Sequence, residues 1–369
     1  MWKLNRRILA HFDIVSIIFI IPLVVVSGWL IAEIHPVLAQ KHMVYVGVGV
    51  VVFLLFFFLP IRRFNWFIPI FYWLNILLLI AVEFFGHARL GAKRWLEIPF
   101  INFTLQPSEL MKPAFILMLA YLISRNPPQL KGYNLKEFLK ISFYILLPFF
   151  LIAKEPDLGT ALVLLLLGFS ILFFVGVNWK IWATLVTAVI ISAPLLYSQL
   201  HDYQKKRIKD FVSEKPSYHV QQSIIAIGSG GLLGQNKEDA TQTQMKFLPI
   251  ASSDFIFAYV AERFGFLGTV TLITVYALLI LHLLSLAVWN QDYYIKVVAS
   301  GISFLIFIYM TVNISMTIGF APVVGVPLPM FSYGGSSFVN FIILFAIMQN
   351  LIAFRFRDMY DDRGKKSFL

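Results

Sequence analysis

The chain has 369 residues, of which 59% are hydrophobic and 13% charged, with a mean hydropathy of +0.80 and a formal net charge of +11. Soluble domains carry about 25% charged residues, so a soluble globular protein is excluded. The absence of cysteine also excludes disulfides, thiolate metal sites and a cysteine nucleophile.

Apolar stretches near the ~20 residues that span a bilayer recur along the chain, and a spanning helix satisfies its own backbone. In chain order they run from Ile14 to Ile31, Met43 to Leu59, Trp66 to Phe85, Ser108 to Ile123, Phe138 to Ile152, Leu158 to Val175, Ile181 to Leu196, Phe255 to Val288, Val297 to Phe320 and Ser337 to Phe354. The expected fold is therefore an all-α integral membrane protein of about ten transmembrane helices, one polytopic domain over residues 1–369. The segment from Phe255 is the longest and carries Glu262 and Arg263 early, which puts its first turns in the interface and the crossing proper near Thr269 to Ala287. The start "MWKLNRRILAHFDIV" has a basic flank, and no small-residue cleavage site ends the apolar run that follows.

Basic residues fall mainly on alternate loops and on both termini, among them Arg6, Arg7, Arg62, Arg63, Lys136, Lys140, Lys180, Lys296, Arg355 and Arg363. These flanks are expected to be cytoplasmic, meeting anionic headgroups rather than nucleic acid. Three irregular segments then share the outer face: Gly86 to Pro113, a loop of about 55 residues from Gln199 to Ser253 between the seventh and eighth spans, and the Gly/Pro-rich Gly319 to Ser337. A structureless loop of that length is usually functional, and an apolar Gly/Pro-rich stretch reads as a broken segment packed within protein. Together they can roof an outer cavity, with residues 198–254 as its extracytoplasmic loop.

Polar residues at membrane depth mark candidate sites. In "LQPSELMKPAF", Glu109 and Lys112 lie three apart in the opening turns of a helix begun by Pro107, which fits either a structural ion pair or a functional one. Asp254 precedes an apolar run. It fits a helix cap, which would depress its pKa, and equally a buried general base, whose pKa burial would raise. Asp157, in "AKEPDLGTAL", sits where a helix begins and reads as a structural cap or ion-pair partner. Lys205, Lys206 and Arg207 in "DYQKKRIKDF" suit a headgroup-facing helix or the capture of an anion. The glycines of "IAIGSGGLLGQ" do not fit a dinucleotide fingerprint and read as tight turns. No histidines show metal-ligand spacing.

The motifs "KRWLEIPFINFTLQPSELMK", "EPDLGTAL", "HDYQKKRI", "YHVQQSIIAIGSGGLLGQ", "TQTQMKFLPIASSDFIFAYVAERFGFLG" and "PVVGVPLPMFSYGGSS" occur in that order. Together they resemble the SEDS family of bacterial cell-wall polymerases over nearly the whole chain, with wording similar to its elongation branch rather than its division branch. The resemblance implies a glycosyltransferase of the bacterial cytoplasmic (inner) membrane, with both termini inside. It would polymerise lipid II into glycan on the outer face, with inversion and a β-1,4 product. It implies Asp254 as the essential acid and candidate base, and Glu109 and Lys112 in the same cavity. Arg94, Lys93, Lys205, Lys206 and Arg207 become candidate pyrophosphate contacts, and Gln222 and Ser332 candidate sugar or peptide contacts. Implied partners are lipid II, the nascent glycan-lipid, membrane lipid, a class B penicillin-binding protein and other elongation-machinery proteins. The family usually has a glutamate after "LP" in the catalytic loop, where this chain has Ile250; a divalent cation (Mg or Mn) is permitted by the residues rather than indicated. A flippase for lipid-linked precursors and a scaffold for other wall enzymes are the competing readings.

Overall fold

The computed structural model describes residues 11–89, 92–98, 103–155, 157–198, 217–245, 247–248 and 250–355, with 205, 209 and 211 as isolated positions. Asp13 starts α1 (Ile14–Ile34) by accepting a hydrogen bond from the Ser16 amide. His35, in extended conformation, and Pro36 at the first helical position then reverse the chain into α2 (Pro36–Phe58). After a short 3₁₀ turn come α3 (Phe67–Phe85), α4 (Pro107–Arg125), α5 (Leu135–Lys154), α6 (Leu158–Val175) and α7 (Trp179–Ser198). A strap with α8 (Tyr218–Ser229) and the single turn α9 (Thr241–Gln244) leads to α10 (Ile256–Trp289), α11 (Tyr293–Thr317) and α12 (Gly335–Ala353).

Among the described residues, helices α1, α2, α3, α6, α10, α11 and α12 are the 7 that are long and apolar enough to cross a membrane. The first turns of α4 are polar, α5 carries Lys136, Glu137, Lys140 and Lys154, and the apolar stretch of α7 ends at Leu195. The segments read from the sequence fall on α1 to α7 and α10 to α12, with ends displaced by a few residues. The protein is a helical integral membrane protein, as expected.

One element is added to that expectation. Between α3 and α4 the chain forms a three-stranded antiparallel sheet, β1 (His87–Arg89), β2 (Ala92–Ile98) and β3 (Phe103–Leu105), in the order β1-β2-β3. Backbone that leaves the helices near the bilayer must still pair its polar groups, and strand pairing does so here.

Helices α4 and α11 form the centre. α11 packs against α4, α6, α10 and α12, and α4 against α3, α11 and α12. Gly301 permits this closeness: a Cβ there would lie 3.1 Å from Ile116 and 3.2 Å from Ile171. The middle of the bundle is filled by buried Phe115, Ile116, Leu119, Ile302, Leu305 and Phe345. α7, by contrast, leaves Val186, Val189, Ile190, Ile191 and Leu195 exposed, a surface suited to lipid.

Two departures from regular helix shape one end of the bundle. α10 breaks at Gly265 (φ 62°, ψ −158°), which separates a short first section holding Glu262 and Arg263 from the long membrane section. The break lets the glycine turns of the strap reach the helix backbone: a Cβ on Gly265 would lie 2.4 Å from the Gly234 nitrogen, and one on Gly230 would lie 1.9 Å from the Ala261 oxygen. Residues 319–334 run irregularly from α11 to α12 yet bury Val326, Leu328, Met330 and Phe331, the broken, protein-packed segment expected from its glycines and prolines.

Candidate active site

The loop that carries Asp254 is anchored by its apolar residues. Leu248, Ala251 and Phe255 bury against Ala226 of α8 and Ala258 of α10. Three consecutive carbonyls are then fixed from the other side. Ser252 accepts from the Tyr333 amide (2.8 Å), Ser253 from the Ser332 hydroxyl (2.6 Å) and Asp254 from Asn313 Nδ2 (2.9 Å), which also donates to the Val326 carbonyl (2.7 Å). Asn313 is 0% exposed, so both bonds form where water cannot replace them.

This clamp frees the Asp254 carboxylate from capping. α10 starts at Ile256, its N-cap is Phe255, and no side chain caps it. Asp254 Oδ2 instead lies 3.6 Å from where a Cβ of Gly325 would be, a glycine with φ +72°. A side chain there would crowd the acid. Burial pushes the Asp254 carboxyl above its ordinary range, while a hydrogen bond with Ser253 pulls it partly back. Of the two readings left open by spacing, the geometry does not support the cap.

Beside the loop lies a groove of about 550 Å³ walled by Ile34, His35 and Leu38 at the α1–α2 reversal, by Thr243 of α9, and by Ile250 and Ser253. Thr243 is held by Glu262, which accepts from the Thr243 hydroxyl (2.8 Å) and the Gln242 amide (2.8 Å). Arg263 next to it pairs with Glu33 of α1 at 3.0 Å. The "TQTQ" and "AER" motifs thus fasten the strap to α1 and α10.

Glu109 and Lys112 meet in the first turns of α4 at 2.5 Å, with exposures of 8% and 1%. Asn340 Nδ2 donates to Glu109 Oε2 (3.2 Å), and Lys112 Nζ stands 4.9 Å from the centre of the Tyr309 ring. The pair sits inside the protein, held from α11 and α12, and does not reach for headgroups.

Asp157 accepts from the Thr160 amide (3.4 Å) as the cap of α6, and its Oδ1 lies 3.7 Å from an Arg94 guanidinium nitrogen. Lys154 pairs with Glu83 at 2.5 Å. Glu155, between them, is 7% exposed, and neither carboxylate oxygen has a hydrogen-bond partner among the described residues. Burial, then repulsion from Asp157, pushes its carboxyl up to about 8. One contact connects this corner to the rest: a Cβ on Gly159 would lie 2.6 Å from the Val324 oxygen, one residue from the Gly325 that faces Asp254.

The structure therefore gathers Asp254, Glu109, Lys112, Asp157 and Arg94 at one end of the bundle. Ser332 is also there, but its hydroxyl donates to Ser253 and accepts from the Leu328 amide (2.8 Å), so it braces the loop. Gln222 is half-buried on α8. Lys205 donates to the Ser198 carbonyl at 3.0 Å, at the end of α7. Lys206, Arg207 and the side chain of Lys93 lie outside the described residues. Sequence reasoning missed Asn313, one asparagine in a long apolar helix, and treated Glu155 only as a neighbour of Asp157. A buried carboxylate after a helix end without a partner was the available signal for the second.

The fold and this site define a polytopic membrane protein with a cluster of buried carboxylates and cations at one end of an apolar bundle. Residues 3–356 match the cell cycle protein family FTSW_RODA_SPOVE, and the chain belongs to that family. It is 56% identical over 366 residues to the peptidoglycan glycosyltransferase MrdB of Helicobacter pylori, covering 99% of this chain and 96% of the relative. It is 36% identical over 352 residues to the protein of the same name from Escherichia coli K12, covering 92% and 93%. Among solved structures, a chain of a peptidoglycan synthase complex that coordinates polymerization and crosslinking aligns with a TM-score of 0.80 at 25% identity, covering 95% of this chain and 98% of that one. The rod shape determining protein RodA of Thermus thermophilus aligns with a TM-score of 0.70 at 25% identity, covering 93% and 97%.

Proposed function

We propose that this chain is a peptidoglycan glycosyltransferase of the elongation type, acting on lipid-linked glycan at the outer face of the bacterial cytoplasmic membrane. The observation that carries the reading is Asp254: a half-buried carboxylate that does not cap its helix, fixed through its own carbonyl, and next in the chain to Ser253 in the wall of a groove with apolar and polar sides. Such a groove suits a substrate with a sugar at one end and a polyprenyl tail at the other.

In the reaction, Asp254 takes the proton from the 4-hydroxyl of an incoming lipid II. The oxygen attacks the anomeric carbon of the growing chain, the bond to the polyprenyl pyrophosphate breaks on the opposite face, and the α-linked donor gives a β-1,4 product. Arg94 and Lys112 place positive charge where the pyrophosphate departs. Glu109 and Asn340 hold Lys112, and Asn313 and Ser332 hold the loop. Basic side chains such as Arg62, Lys136, Lys140 and Arg355 at the opposite end support an inward orientation for that end. A class B penicillin-binding protein is the expected partner, bound to helix surfaces in the outer half.

A flippase would need a polar route between the two faces. The packed apolar middle argues against it, and the polar groups at the far end are used on one another: His282 lies 2.8 Å from Asp13, whose backbone exchanges hydrogen bonds with Gln349. The test is proteoliposomes of purified protein supplied with lipid II. Glycan polymer, with lipid II in the opposite leaflet unchanged, is expected. Leaflet transfer without polymer would replace this reading with the flippase.

A further inference from the structure

Glu155 is a buried acid of this end that the reaction above leaves unused and that, among the described residues, no hydrogen bond holds. It ends α5 while Asp157 caps α6, so a tight reversal brings two carboxylates into one corner, where they repel each other. The lysine that could neutralise them, Lys154, is drawn away to Glu83. Arg94 faces Asp157. Glu155 keeps both oxygens without a hydrogen bond at 7% exposure, although a buried carboxylate is normally paired or hydrogen-bonded.

We infer that Glu155 and Asp157 hold a divalent cation of the Mg or Mn class. A hard cation accepts carboxylate oxygens, and Mg-type sites use only one or two of them, the remaining positions going to water and to substrate phosphate. That explains why, among the described residues, no group of three or more His, Asp or Glu forms a closed cage. The ion would supply the two oxygens of Glu155 with a partner and add positive charge beside Arg94, so that the corner attracts an anion. Gly159 packs this corner on Val324, beside the glycine that faces Asp254. The ion is therefore placed to receive the pyrophosphate of the lipid-linked donor, together with Arg94. This role rests on the polymerase reading; the site itself does not.

The test uses the full chain in nanodiscs with Mn²⁺ alone as the probe, the free ion being followed by electron paramagnetic resonance. The wild type is expected to take up one Mn²⁺ per chain, saturating below about 1 mM and displaced by Mg²⁺. Glu155→Gln, which keeps shape and removes charge, is expected to weaken uptake at least tenfold, and Asp157→Asn, which keeps the capping oxygen, to do the same if the first variant does not fold. Asp254→Asn is expected to bind Mn²⁺ as the wild type does. No saturable uptake by the wild type, or equal uptake by both ligand variants, would overturn the inference. Saturable uptake without any polymer from lipid II would leave the site standing and overturn the polymerase reading. Undiminished polymer in chelator, from a protein that takes up Mn²⁺ without it, would overturn the ion's role at the pyrophosphate and leave the polymerase reading standing.

Discussion

The Glu109–Lys112 pair should behave as a unit whose halves cannot be spared singly. At 2.5 Å the two charges attract by about 6 kcal/mol at an effective dielectric of about 20. Removing each ion from water costs several kcal/mol, so the pair as a whole is close to neutral for stability. Glu109→Gln strands an ammonium that is 1% exposed with only the Tyr309 ring beside it, a loss of about 3–5 kcal/mol. Lys112→Met is milder, at about 2–3 kcal/mol, because Asn340 still donates to Glu109. The double variant should return to within about 1.5 kcal/mol of the wild type, giving a coupling of at least about 3.5 kcal/mol, slightly above the usual range of about 0.5–3 kcal/mol for residues in contact. The assay is unfolding in mixed micelles followed by tryptophan fluorescence, as a double-mutant cycle. Additive single losses would refute the reasoning, since they would mean that the two side chains do not meet in the folded protein. Polymerisation by the stable double variant then separates the structural part of this pair from the catalytic one: lost activity with recovered stability is expected.

Further outcomes follow from the clamp and the turns. Asn313→Ala removes the bonds to the Asp254 and Val326 carbonyls; it should lower kcat at least tenfold with a stability loss of about 1–3 kcal/mol, measured by initial rates beside melting curves. Gly265→Ala or Gly230→Ala drives a Cβ into backbone of the opposing segment, and folded yield in a size-exclusion profile should drop sharply for both. The raised carboxyl of Asp254 has two pH consequences. As a base it works deprotonated, so the acidic limb of kcat/KM should fall above the usual aspartate range and vanish in Asp254→Asn. Because the folded state holds this proton more tightly than the unfolded chain, its contribution to stability is present at low pH and lost as pH rises through the folded pKa. Asp254→Asn should therefore flatten that part of the stability profile. Its melting temperature near neutral pH should not fall, since no cap is lost.

Much of this fold is legible in hydropathy alone, because a lipid solvent leaves the backbone few choices: each apolar run became a helix. The interruption of α10 was also legible, since Glu262 and Arg263 cannot begin a membrane crossing, and Gly265 supplies the break. What the sequence left open needed three dimensions. Capping and catalysis place the same demands on the position of Asp254, and only the start of the helix at Ile256 with an uncapped Phe255 separates them. The small sheet between α3 and α4 carries no long alternating pattern, with strands of 3, 7 and 3 residues. Asn313 and Ser332 act through backbone carbonyls that come from segments 59 and 79 residues away, a relation that spacing cannot reveal. Ser332 shows the cost of reading a polar residue in a functional motif as a substrate contact when its hydroxyl is already used on both sides.

The proposed reaction turns on proton transfer to Asp254, whose carbonyl is clamped by Asn313 and whose carboxylate does not cap α10. The most direct measurement compares purified wild type with Asp254→Asn for polymer formed from lipid II in proteoliposomes, with and without a class B penicillin-binding protein, at matched incorporation and melting temperature. Polymer from the wild type is expected, with a loss of at least about 10²-fold in the variant and no loss of thermal stability. Polymer at wild-type rate from a folded Asp254→Asn protein would contradict the proposed reaction.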